Sequence, residues 1–99
     1  MNIQDIKKAI DLGFTLSYEL LCCTLPSGSM IFNISISYYD VNKKIHSGLL
    51  RTARGDIRDF KTFETAYKFL ASLSVEDFKV FVSPSEIAIV KEKNSQLDL

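Results

Sequence analysis

The chain has no tryptophan, one histidine, two cysteines and no net charge, with twelve Lys and Arg against twelve Asp and Glu over 99 residues. Each shortage removes a class of protein. Balanced charge argues against a protein that grips nucleic acid through a general excess of basic residues. The cysteines are neighbours, Cys22 and Cys23. Adjacent residues of a strand point to opposite faces, so these two cannot readily bridge each other. With no C-x-x-C and no second pair, neither a zinc framework nor a disulfide scaffold is expected. A reducing, cytoplasmic setting fits. No apolar run reaches membrane-spanning length. The opening segment MNIQDIKKAID carries charges where a signal peptide would be apolar. The expectation is a cytoplasmic protein without a membrane partner.

The same scarcity bears on catalysis. His46 is the single imidazole, set in a strand with no cysteine or carboxylate at ligand spacing, and reads as a surface residue. A cysteine nucleophile would have only His46 as its base. The stretch around the pair, ELLCCTLP, is apolar, so at least one of the two cysteines reads as a buried core residue. No enzyme, cofactor or metal is expected.

What is present is core material: 46% apolar residues, with seven Phe and four Tyr. That suits one domain, residues 1–93, with a flexible tail at 94–99. Ile3 to Leu12 has the apolar spacing of a helix, with Asn2 as its cap and Gly13 at its end. Phe14 to Leu25 reads as a strand, closed by Pro26-Ser27-Gly28 as a type II turn. From Met30 to Tyr39 the alternation is strict. Met30, Phe32, Ile34, Ile36 and Tyr38 share one face; Ile31, Asn33, Ser35, Ser37 and Tyr39 share the other. A turn at Asp40 to Lys43 leads to a third strand, Ile45 to Ala53, and a fourth, Asp56 to Phe60.

Thr62 caps a second helix whose buried stripe is Phe63, Ala66, Tyr67, Leu70 and Leu73, with a Glu64–Lys68 ion pair on its surface. Phe78 to Val82 reads as a fifth strand. Ser83-Pro84-Ser85-Glu86 has capping-box spacing for a third helix through Lys91, whereas Ile87, Ile89 and Val90 favour a strand. The expected fold is α+β: a mainly antiparallel sheet of four or five strands with two or three helices on one face, in the order α-β-β-β-β-α-β-α.

All three arginines, Arg51, Arg54 and Arg58, fall on the hairpin before the second helix, and Lys61 follows. Residues 40–61 hold six basic side chains against three acidic ones. Arginine is suited to two-pronged recognition of carboxylates and phosphates. If Arg54-Gly55 is a two-residue loop, Arg51 faces Arg58. Like charges so placed are destabilising unless an anion or a partner lies between them. Arg51, Arg54, Arg58 and Lys61 are therefore the candidate partner- or anion-binding residues.

Three resemblances bear on this segment. Arg54-Gly55-Asp56 resembles the integrin-binding tripeptide, but turn chemistry alone explains Gly55. The α-β-β-β-α order resembles double-stranded-RNA-binding domains. Those carry a lysine-rich start to the second helix, where this chain has Lys61-Thr62-Phe63-Glu64, and the extra strand also breaks the order. Finally, Leu50-Arg51-Thr52-Ala53-Arg54-Gly55, followed by Arg58, Phe60-Lys61-Thr62 and the helix through Leu73, resembles small plasmid-encoded accessory proteins of the ParC-like, partition-associated kind. That resemblance implies a role in plasmid maintenance or transfer, through protein–protein contacts near nucleic acid. A weakly DNA-binding homodimer and a small inhibitor acting by surface mimicry are the alternatives.

Overall fold

The computed structural model describes residues 1–82. The predicted third helix and the tail at 94–99 lie outside the described residues. Two helices and four strands follow in the order α1 (Ile3–Asp11), β1 (Ser17–Thr24), β2 (Met30–Tyr39), β3 (Ile45–Leu49), α2 (Phe63–Ser72) and β4 (Lys79–Phe81). The architecture is α+β, with one sheet in the order β3-β2-β1-β4.

The sheet is mixed. β1 and β3 both run antiparallel to β2, whereas β4 runs parallel to β1. The connection explains this. The chain leaves β3 at one edge, passes through α2 and enters β4 at the other edge, and a crossover of that kind returns a strand in the same direction.

Both helices begin on side-chain caps. In α1, Asn2 accepts from the Asp5 N–H and Asp5 accepts from the Asn2 N–H, a reciprocal box. In α2, Thr62 Oγ1 accepts from the Thr65 N–H. Glu64 and Lys68 form the expected surface pair at 3.0 Å. The helices share a core against one face of the sheet: Ile6 from α1 and Ala66 and Leu70 from α2 meet Leu20, Cys22, Phe32, Ile34 and Ile36. The apolar half of the β2 alternation supplies most of that face.

The three β-hairpins close on the same loop. In each, the residue before the loop donates its N–H to the carbonyl of the residue after it and accepts from the N–H of the third loop residue, which adopts positive φ: Gly28 (90°), Lys43 (62°) and Gly55 (92°). This is the three-residue connection with its left-handed closing position. It corrects two expectations. Gly28 closes a three-residue loop and is not the third residue of a type II turn. Arg54-Gly55 is not a two-residue loop; with Ala53 added, the register shifts by one, and Arg51 pairs with Ile57. Arg51 and Arg58 are not directly opposed.

The fourth predicted strand does not form as a strand, and the third ends at Leu49. Leu50 still donates to Ile34 O at 2.7 Å, but residues 51–59 then leave the sheet, and Phe60 returns to exchange two 2.8 Å hydrogen bonds with Phe32. The arginine segment is thus an excursion inserted into the β3 side of the sheet. Its removal from the strand count leaves α-β-β-β-α as the order of the first five elements, so the extra strand no longer breaks that order. The Thr62-Phe63-Glu64 start of α2 still lacks clustered lysines.

The chain's first residues cover part of the β3 edge beside this excursion. The Met1 ammonium donates to Leu49 O, and the Arg51 N–H donates to Met1 O. Such cover protects an otherwise open edge.

Candidate functional site

The excursion is held from below by one side chain. Asn33 lies on the face of β2 where the alternation is mostly polar, yet it is completely buried. Its Nδ2 donates to Arg58 O at 3.0 Å and to Asp59 Oδ1 at 2.8 Å. Around it, Ile57 from the hairpin packs with Leu21, Cys23 and Leu49 to form a second, smaller apolar cluster. Hence this end of the second face is not solvated, as simple alternation would have it. The hairpin folds over it.

The three arginines end in three different states. Arg51 Nη1 donates to Gly55 O at 2.7 Å, so this side chain braces its own turn. Arg54 stands exposed in the loop. The Arg58 guanidinium lies 4.9 Å from the centres of both the Phe60 and Phe69 rings, which are themselves 5.6 Å apart. Phe60 is buried at the return point to the sheet, and Phe69 comes from α2. A guanidinium laid on aromatic rings is attracted by their electron-rich faces and loses conformational freedom, while its N–H edge stays available. Among the described residues no carbonyl or carboxylate accepts from Arg58. The nearest acid in sequence, Asp59, already accepts from Asn33. Lys61 is exposed just before α2. The structure therefore carries the three arginines on one excursion, with Lys61 beyond its return to the sheet, and does not focus the four on one point. Arg58 is the one pre-ordered with open donors.

Asn33 and Phe69 were not legible as site residues. Asn33 looked like any polar residue on an outward face, and Phe69 lay off the predicted buried stripe of its helix.

His46 is not a bare surface residue. Its Nε2 lies 2.9 Å from Asp40 Oδ2, and its ring stacks on Tyr38, which stacks in turn on Phe14. Asp40 Oδ1 also accepts from the Asn42 and Lys44 N–H groups. The His46 hydrogen bond, followed by that of the Lys44 N–H, holds the Asp40 carboxyl below the usual carboxylate range. The cysteines are both buried; Cys22 sits in the main core and Cys23 in the second cluster. Burial pushes the Cys22 thiol up, which opposes a nucleophilic role. Among the described residues no group of three or more His, Cys, Asp or Glu could hold a metal ion, and no helix is long and apolar enough to cross a membrane.

The fold and site define a small α+β protein with an arginine-bearing excursion from one side of its sheet. No protein-family model, curated protein or solved structure matches the chain.

Proposed function

We propose that this protein is a non-enzymatic interaction module that engages an anionic group of a macromolecular partner through Arg58, flanked by Arg54 and Lys61. The observation that carries this reading is the seating of Arg58 on Phe60 and Phe69 with its donors unspent on the described residues. Most surface arginines reach a partner only after losing side-chain freedom. One already held on two rings loses less, so a contact there gains more.

A protein carboxylate suits the site better than a nucleic-acid backbone. Polyanion binding draws on many dispersed cations, whereas Arg51 is committed to Gly55 O and the chain as a whole is neutral. The accessory role in plasmid maintenance or transfer, close to nucleic acid, rests on the hairpin–helix resemblance and is part of this proposal.

The test is parallel capture from host extract with immobilised wild type and Arg58→Ala, alongside binding to a labelled random-sequence DNA duplex at low and physiological salt. The proposal expects a protein retained by wild type and lost by the variant. Micromolar duplex binding that weakens with salt would replace it with the direct DNA-binding alternative.

A further inference from the structure

At the opposite end of β2, α1 stands away from the β2–β3 hairpin and leaves an open cleft of about 620 Å³. That is within the range of small-molecule sites, roughly 300–1,000 Å³. Lys8 and Leu12 of α1 form one wall, and Phe14, Tyr38 and His46 line the other side. Those three rings are ordered as a ladder, with centroids 5.2 Å apart from Phe14 to Tyr38 and 5.0 Å from Tyr38 to His46, and interplanar angles of 25° and 13°.

The polar groups at this cleft are unequally spent. Its acids are committed to the protein: Asp5 accepts the Asn2 N–H in the α1 cap, and Asp40, beside it, accepts from His46, Asn42 and Lys44. Its donors are not. Among the described residues neither the Lys8 ammonium nor the Tyr38 hydroxyl has a hydrogen-bond or ion-pair partner. The cleft thus offers a cation, a hydroxyl and a set of parallel rings, while its Asp5 carboxylate is engaged in the helix cap. That combination recognises a planar ring carrying an anionic group: charge goes to Lys8, and the ring goes to the aromatic ladder.

We infer that the α1–β2–β3 cleft is a binding site for a small aromatic anion, separate from the arginine excursion. The anionic group is a carboxylate or a phosphate, and the test distinguishes them. The full-length protein, labelled with ¹⁵N, is titrated to low millimolar concentration with indole-3-carboxylate and with adenosine 5′-monophosphate. Inorganic phosphate and adenosine serve as the ring-free and charge-free controls.

The expected result is saturable shifts at Lys8, Phe14, Tyr38 and His46 with one or both of the charged ring compounds. Binding should be about tenfold weaker in Lys8→Gln, a change of some 1.4 kcal/mol. Lys8 is exposed, so this variant leaves the fold intact, and its unchanged spectrum elsewhere verifies that. Absence of saturable shifts with both charged ring compounds overturns the inference. So do equal shifts with phosphate alone or adenosine alone, or shifts confined to residues 51–61, which would assign anion binding to the excursion instead.

Discussion

Two hairpins of this protein close on the same three-residue loop and are otherwise held in different ways. The β1–β2 hairpin continues from its loop into eight residue pairs, Ser17–Ser37 through Thr24–Met30, and its apolar side is buried under both helices. Beyond its loop hydrogen bonds the arginine hairpin has one bridge, Arg51–Ile57, and one further hydrogen bond, from the Arg58 N–H to Leu50 O. Its position depends on Asn33 from below, on Ile57 in the second cluster and on the Arg58 stack from the side. A ladder with a buried face is overdetermined. An excursion held by a few separate contacts can carry three arginines without loss to the core, and its chief polar contact is the one at Asn33.

The largest effect should come from that contact. Asn33→Ala removes both hydrogen bonds at the base of the excursion and truncates a fully buried side chain. It should cost about 2–3 kcal/mol, read as a shift in the urea midpoint with an unchanged slope. Loss of amide-exchange protection should appear first at Leu50, Arg58 and Phe60, while the β1–β2 ladder stays protected. Uniform loss over both hairpins would show that they are one cooperative unit.

Arg58→Ala should change binding more than stability. Its stacking at an exposed site is worth only about 0.5–1 kcal/mol, so the thermal midpoint should move little while partner affinity falls at least about tenfold. Arg58→Lys keeps the charge but not the planar fork, and it should recover only part of the affinity.

Loop closure supplies a smaller and cleaner contrast. Gly28 and Gly55 occupy their left-handed closing positions without strain, but Lys43 does so at φ 62°, and Ser74 does likewise after α2 at φ 60°. Ser74 ends α2 with the same pair of backbone hydrogen bonds with which Gly13 ends α1. Ser74→Gly and Lys43→Gly should each stabilise by about 0.5–1 kcal/mol, whereas Gly55→Ala should destabilise by about as much. Denaturant melts of the three variants check the signs.

Least in size is a pH effect at the β2–β3 turn. Asp40 titrates lower in the folded protein than unfolded, so its contribution is present above the ordinary carboxylate pKa. It is lost as pH falls through the depressed folded value. Asp40→Asn should flatten the dependence of the thermal midpoint on pH in that acid range. An unchanged slope would show that the His46 contact contributes nothing there.

These contrasts also explain what the sequence could convey. The β2 alternation, the caps at Asn2 and Thr62 and the Glu64–Lys68 pair are local signals with one physical meaning, and each was legible. The hairpin register was not. Arg-Gly is compatible with a two- or a three-residue loop, and the added Ala53 moves Arg51 from Arg58 to Ile57. Nor does sequence show that residues 51–59 leave the sheet, because Leu50 and Phe60 look like members of strands and their β2 partners are long-range. The burial of Asn33 follows from that excursion and was hidden with it. The arginine cluster was visible as composition; which arginine has open donors depended on Phe69, a residue of the following helix.

The most direct test of the account is the paired capture experiment with wild type and Arg58→Ala, both verified as folded by their amide spectra. A protein partner should be retained by wild type and missing from the variant. The same partner retained equally by both would contradict it, because the stacked, open arginine would then have no part in recognition.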